Sequence, residues 1–280
     1  MKTFDDPAKL QKWAGKKRME GRRIALVPTM GALHEGHLSL IEKAKESGAD
    51  EIVVSIFVNP VQFGQNEDYA AYPRTEKADA AKCKKAGASV VFFPTPANMY
   101  LENHSVYVDE SALSAGYCGA KRPGHFKGVC TVVAKLFNIV HPHVAVFGQK
   151  DFQQAAVIRR MVRDLNFGID IVVAPLVRES SGLAKSSRNA YLSDDERNRA
   201  VVLSQSLEEA KKIVAEKGTV SAAALRKRIS SKIEKAGLKT DYVEIANAET
   251  LLPLKKAGKG DVVLLAAFCG KTRLIDNAVL

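Results

Sequence analysis

Four short segments of the 280-residue chain hold side chains whose types and spacing suit work on an anionic ligand. The first is Pro28-Thr29-Met30-Gly31-Ala32-Leu33-His34-Glu35-Gly36-His37. Its two histidines are three residues apart, a spacing that puts both imidazoles on one face of a helix. Each can donate a hydrogen bond to a phosphate oxygen, and Gly36 removes a side chain where a ligand must approach. Backbone N–H groups at a helix start favour phosphate as well. Zinc would require the His-Glu-x-x-His spacing, with ligands four apart; His37 comes one residue too early.

The second segment, Phe57-Val58-Asn59-Pro60-Val61-Gln62-Phe63-Gly64, offers Asn59 and Gln62. Both side chains donate and accept without carrying charge, which suits a hydroxy acid better than a phosphate. Taken alone they fit a satisfied Asn-Pro turn equally well. The third, Phe147-Gly148-Gln149-Lys150-Asp151-Phe152-Gln153-Gln154, carries a mobile point charge in Lys150. Asp151 could hold a ribose hydroxyl or Mg²⁺, and Gln154 lies one helical turn further on. In the fourth, which begins at Val177, Lys185, Ser186, Ser187 and Arg188 together could wrap a triphosphate. At a hinge, such a loop could close over its ligand. The string from Arg122 to Gly128 is also distinctive, with no role assigned to it.

The elements that position these segments follow from hydrophobic patterning. Strands are expected at 23–28, 51–58, 89–94, 105–108, 144–147 and 169–176, alternating with helices at about 36–45, 75–85, 126–140 and 152–165. Such alternation predicts an α/β fold with a parallel, helix-covered sheet. The first, second and third segments then fall on strand-to-helix turns, where open α/β sheets bind ligands. Beyond residue 177 the pattern changes to helices at about 194–216 and 220–236, then strands at 242–246, 261–268 and 272–276. The expected division is therefore a Rossmann-like parallel-sheet domain over 1–176 and a smaller α+β lid domain with an antiparallel sheet over 177–280.

The charge balance is consistent with an anionic ligand but does not name it. Lys and Arg number 42 against 31 for Asp and Glu, a formal net charge of +11. That excess is spread over helices that mix both signs, so a solvated surface explains most of it. No aromatic-interleaved basic segment argues for a nucleic-acid platform. The four cysteines, Cys83, Cys118, Cys130 and Cys269, form no Cys-x-x-Cys pair and read as reduced thiols. Met1–Pro7 has no apolar core of signal-peptide length, and no apolar run approaches the roughly 18–20 residues of a membrane span, so a cytoplasmic protein is expected.

His34-x-Gly36-His37 after a first strand resembles the signature of the nucleotidyl-transferase superfamily that includes class I aminoacyl-tRNA synthetases. The longer string 28–37, with Phe57-Val58-Asn59-Pro60-x-Gln62-Phe63, Tyr72-Pro73-Arg74, Phe147-Gly148-x-Lys150-Asp151-x-Gln153-Gln154 and Ser186-Ser187-Arg188-Asn189, resembles the pantoate–β-alanine ligase family. That resemblance implies ATP contacts from Met30, Gly31, Ala32, Leu33, His34, Glu35, Gly36 and His37. It implies further ATP contacts from Gly148, Gln149, Lys150 and Asp151, and from Val177, Lys185, Ser186, Ser187 and Arg188. Gln62, Gln154 and Asn59 would face pantoate or β-alanine. Catalysis would fall to His37, His34, Lys150, Ser186, Ser187 and Arg188, with ATP and Mg²⁺ required and a homodimer expected. Two positions depart from the family pattern: Gln149 where many members carry Glu, and Lys185 where many carry an apolar residue. Two other classes stay open on the sequence, another nucleotidyl transferase of the superfamily and a nucleic-acid-binding module.

Overall fold

Ile24–Thr29 is an apolar run that ends in Pro28 and Thr29, and it forms the central strand of a parallel sheet. The computed structural model describes residues 1–65 and 67–280. In chain order the first elements are β1 (Lys2–Phe4), α1 (Pro7–Met19), β2 (Ile24–Thr29), α2 (Glu35–Glu46), β3 (Glu51–Ile56), α3 (Glu76–Ala86) and β4 (Val90–Phe92). They are followed by α4 (Pro96–Met99), α5 (Tyr117–Lys121), α6 (His125–Val140), β5 (Val144–Gly148), α7 (Phe152–Asp164) and β6 (Asp170–Ala174). The remainder comprises α8 (Asp194–Ala200), α9 (Val202–Lys217), β7 (Val220–Ser221), α10 (Ala222–Lys235), β8 (Lys239–Ala246), β9 (Lys256–Ala257), β10 (Val262–Cys269) and β11 (Thr272–Val279).

The chain divides into two units, residues 1–149 with 154–175, and residues 150–153 with 176–280. The division expected from the sequence puts 150–153 with the first region; in the structure that short stretch packs with the second.

In the first unit the sheet order is β1-β4-β3-β2-β5-β6, with every pairing parallel. The chain therefore leaves β2 toward β3 and β4, then returns to the other side of β2 for β5 and β6. Ligands of open α/β sheets bind at such a switch point, beyond the carboxyl ends of the strands. Local chemistry opens it: β2 pairs with β5 only at Ala25 and Leu26. Two residues further on, Pro28 has no N–H to give a ladder. The two strands thus part where Thr29 and Gly148 lead into their turns. The core on one side of the sheet includes Val27, Leu40, Ile41, Val54 and Val146.

The expected strand at 105–108 does not form. The Val108 N–H donates to the Thr131 hydroxyl of α6 (3.0 Å) instead of to a sheet neighbour, and Val106 is exposed. β1 and α1 were not expected; β1 adds a three-residue edge beside β4.

The second unit holds the antiparallel sheet β11-β10-β8, with α9 and α10 supplying Leu203, Leu207, Ile229 and Ile233 to a core shared with Leu265 and Ala267. The helix expected over 194–216 is interrupted at Val201. The hydroxyls of Ser204 and Ser206 donate to the carbonyls of Val201 and Val202, back-bonding of a kind that loosens a helical ladder. All four cysteines are free thiols. Burial pushes Cys83 up to about 11 and Cys130 to about 12, so neither is a ready nucleophile.

Candidate active site

The turn after β2 owes its shape to one carboxylate. Gly31 and Ala32 both have positive φ, 88° and 50°, which directs successive amides inward. Asp79, fully buried on α3, receives them: the Ala32 N–H donates to Oδ2 and the Leu33 N–H to Oδ1, both at 2.9 Å. The Thr75 hydroxyl adds a third bond to Oδ2 (3.0 Å), while the Lys82 ammonium donates to the Leu33 carbonyl (2.6 Å). A Cβ at Gly31 would stand 3.0 Å from Ile56 and 3.2 Å from Asp79, besides requiring the left-handed backbone. No motif in the sequence marks Asp79. α3 buries only Asp79 and Cys83, four residues apart, a property of the fold that the charged helix sequence does not announce.

α2 begins immediately after this turn with a reciprocal cap made by the histidines themselves. His34 Nδ1 accepts from the Gly36 N–H (3.1 Å), and His37 Nδ1 accepts from the His34 N–H (3.2 Å). The ring centroids lie 4.1 Å apart. An imidazole nitrogen that accepts carries no proton, so in the neutral form each ring has its hydrogen on Nε2. The backbone thereby fixes both histidines as Nε2–H donors at a helix N-terminus, the polarity that favours an anion.

Next to this turn lies a buried carboxamide cluster. Asn59 Nδ2 donates to Gln62 Oε1 (3.1 Å) and to the Gly128 carbonyl (3.2 Å), and Tyr100 donates its hydroxyl to Asn59 Oδ1 (2.8 Å). Gln62 Nε2 points at Met30 Sδ (3.1 Å), so the cluster touches the histidine-bearing turn through that methionine. Gly128 lets α6 come this close: a Cβ there would meet Val61 O at 2.5 Å and Gln62 N at 2.6 Å. The Gln62 carbonyl is bonded by His125 Nδ1 (2.9 Å), whose Nε2 meets Arg122 (2.9 Å). Arg122 in turn pairs with both oxygens of Glu67, at 2.6 Å each. Burial raises the Glu67 pKa, but the Arg122 hydrogen bond and charge, with the Gly64 amide and His125, outweigh it and leave the pKa lowered. Arg122 and His125, to which the sequence assigns no role, therefore brace the residue expected to meet substrate.

The structure brings Met30, Asn59 and Gln62 together with the two histidines' turn. Glu35 and Gly36 open α2, and Gly148 ends β5 with Gln149 starting a 3-10 turn. Gln154, half-buried in the first turn of α7, is outside the described hydrogen bonds of the carboxamide cluster.

In the second unit, Val177 to Lys185 is a small hairpin. Arg178 and Ala184 form an isolated bridge, Lys185 N donates to Val177 O (2.9 Å), and Gly182 turns the chain at φ 96°. Two carboxylates lock it. Asp276 takes Arg178 in a two-pronged pair (2.7 and 3.1 Å), and Glu179 takes Arg197 (2.9 and 3.1 Å) together with Asn189 Nδ2 (2.9 Å). Asn189 Nδ2 also bonds the Ala184 carbonyl (3.0 Å), which fixes both ends of the Lys185-Ser186-Ser187-Arg188 segment. Ser186 Oγ caps the 3-10 turn Ser187–Tyr191 by accepting from Arg188 N (3.2 Å). Lys150 belongs to this unit too, its ammonium 3.9 Å from Asp151.

A six-stranded parallel sheet with a histidine-capped helix start beyond its central strand defines a Rossmann-like α/β protein. Likeness to known proteins narrows the class. The family model described as pantoate-beta-alanine ligase matches residues 2–279. The pantothenate synthetase of Anaeromyxobacter dehalogenans is 54% identical, with all of both chains covered. The crystal structure of pantothenate synthetase from Thermus thermophilus superposes with a TM-score of 0.93 at 42% identity, covering 100% of this chain and 99% of that one. That of the Francisella tularensis pantoate-beta-alanine ligase, complexed with beta-gamma ATP and beta-alanine, gives 0.82 at 32% identity, covering 100% of this chain and 97% of that one. The chain belongs to the pantoate–β-alanine ligase family.

Proposed function

We propose that this chain condenses (R)-pantoate with β-alanine to give pantothenate, using ATP and releasing AMP and pyrophosphate. The observation that carries the assignment is the adjacency of two unlike binding surfaces: a helix start with two histidines held as Nε2–H donors, and a buried, uncharged carboxamide cluster reached through Met30. The first suits phosphate and the second a hydroxy acid.

A pantoate carboxylate oxygen attacks the α-phosphorus of ATP, the bond to the bridging oxygen breaks, and pyrophosphate leaves. The β-alanine amine then attacks the acyl carbon of pantoyl adenylate. The bond from that carbon to the phosphate oxygen breaks, the amine sheds a proton, and AMP departs. Charge accumulates at phosphorus in the first step, so preorganised donors supply the main stabilisation. We assign that task to His34, His37, Lys150, Ser186, Ser187 and Arg188, pantoate binding to Asn59, Gln62 and Gln154, and water exclusion from the adenylate to the C-terminal unit acting as a lid.

Magnesium enters as part of the substrate. Among the described residues no group of three or more His, Cys, Asp or Glu is placed to hold a metal. Asp151 would be a single carboxylate partner for Mg²⁺ carried by triphosphate oxygens and water. We further propose a cytoplasmic homodimer, on the strength of the family resemblance; light scattering on the purified protein checks the dimer.

Incubation with ATP, Mg²⁺, (R)-pantoate and β-alanine tests the reaction. AMP and pyrophosphate in equal amounts, formed only when pantoate is present, are expected. ADP, or turnover indifferent to pantoate, overturns the assignment.

A further inference from the structure

β11 carries two adjacent buried polar residues, Asp276 and Asn277, in an otherwise apolar stretch near the end of the chain. Neighbouring residues on a strand point to opposite faces, so the two side chains can reach different segments without competing. Asp276 takes the Arg178 guanidinium with both oxygens, and the same guanidinium donates to the Gly182 carbonyl (3.2 Å). That pair holds the base and tip of the hairpin leading into Ser186 and Ser187. Asn277 donates from Nδ2 to the backbone carbonyl of Lys150 (3.0 Å). Its own backbone N–H donates to Asp276 Oδ1 (2.8 Å), which ties the two residues into one unit.

We propose that Asn277, with the Asp276–Arg178 pair beside it, is a positioning residue for ATP: one strand end fixes both the root of Lys150 and the hairpin that presents the two serines. This rests on the assignment of Lys150, Ser186 and Ser187 to ATP made above. The Lys150 ammonium is only loosely paired, at 3.9 Å from Asp151. Its starting point is therefore set by the backbone, and the flexible four-carbon stem works from a fixed root. The carboxamide is required chemically, because a carbonyl acceptor needs a donor that a carboxylate or an aliphatic side chain lacks. The clamp also accounts for residues 150–153 packing with the second unit rather than with the strand that precedes them.

The test uses the full chain with Asn277→Leu, which keeps volume and loses the donor, and Asp276→Asn, which keeps shape and loses the charge. Hydrogen exchange of the apo proteins reads the clamp directly. Amides in 149–153 should exchange about tenfold faster in Asn277→Leu, and those in 177–185 about tenfold faster in Asp276→Asn. Calorimetric titration with ATP should show affinity about tenfold weaker in each variant. In the pantoate-dependent assay the KM for ATP should rise by a similar factor while that for β-alanine stays within about twofold. Unchanged exchange in these segments, or a lowered melting temperature with unchanged ATP affinity, overturns the proposal. If Asn277→Leu does not fold, Asp276→Asn decides by the same two readouts. A wild-type protein that binds ATP but shows no pantoate-dependent turnover sinks the assigned reaction alone, and exchange and ATP affinity still decide the clamp.

Discussion

The turn that carries the histidines and the hairpin that carries the serines are both assigned to phosphate, yet they are locked by different chemistry. The turn is held by one buried carboxylate, Asp79, whose bonds come from two amides and a hydroxyl. The hairpin is held by guanidinium–carboxylate pairs, Asp276 with Arg178 and Glu179 with Arg197. The difference follows from what each must display. The turn presents its own backbone and two imidazoles, so its amides need internal acceptors and the positive φ of Ala32 must be held in place. The hairpin presents flexible side chains, so its anchors need only fix the root, and one of the two, Glu179 with Arg197, is partly solvated while Asp276 is buried. Rigidity resides in hydrogen-bonded backbone in one case and in ion pairs in the other.

The largest effect that sharpens this contrast is catalytic. His37→Ala removes a fixed donor and should lower turnover by about 10²–10⁴, while stability falls only by the lost cap bond to the His34 N–H, about 1 kcal/mol. Ser187→Ala, which removes one hydroxyl from a more adjustable set, should cost about tenfold. Comparable losses for the two variants, read from steady-state rates, would break the comparison.

Next in size is the anchor itself. Asp79→Ala strands two buried amides and should cost about 2–5 kcal/mol by urea denaturation, in line with the penalty for unsatisfied buried donors. Asp79→Asn retains one acceptor oxygen and should cost less. A loss below about 0.5 kcal/mol for Asp79→Ala would mean that water replaces the carboxylate, and the turn would not be a buried-anchor device. Glu179→Gln comes third. It keeps an acceptor for Asn189 but discharges the pair with Arg197, whose side chain is 37% exposed. It should cost about 1 kcal/mol or less, shrinking further in 1 M salt. An equal response of Asp79→Asn to salt would erase the distinction.

What could be read from the sequence divides along the same line. The β2-turn-α2 unit is legible because an apolar run, Gly31 and the His34/His37 spacing all lie within the fourteen residues 24–37. The antiparallel tail is legible from its three apolar strands. The anchors are not. Asp79 sits in Glu-Lys-Ala-Asp-Ala-Ala-Lys-Cys-Lys-Lys-Ala, which reads as a solvated helix; it is buried only because the fold sets the turn against it. The role of Asp276 depends on Arg178, 98 residues away, and that of Asn277 on Lys150, 127 residues away. The strand expected at 105–108 failed for a similar reason: the partner of Val108 is a threonine hydroxyl, which no hydrophobic period encodes. Local pattern marks the residues expected to meet the ligand, and long-range polar pairing marks those that hold them.

The smallest effect separates the device from its location. The first unit has an ion pair of its own, Glu67 with Arg122, bracing the carboxamide cluster through His125 rather than the phosphate-directed turn. This strap is built from the same groups as those of the hairpin, a guanidinium and a carboxylate, although it lies in the other unit. Despite burial, Arg122 leaves the Glu67 pKa below its ordinary value. The ionised form is therefore favoured by folding, and the stabilisation is fully present above the ordinary glutamate pKa of about 4.3. It declines as pH falls through the lowered native value. Denaturation midpoints measured from pH 7 down to pH 3 should show an acid-side loss that is smaller in Glu67→Gln than in the wild type. KM for pantoate should rise modestly in Glu67→Gln, because Glu67 holds Arg122, and Arg122 holds the His125 ring that bonds the Gln62 carbonyl. Superimposable pH profiles of the two proteins would show that Arg122 gains nothing from the charge of Glu67, and the strap would then be no ion-pair device.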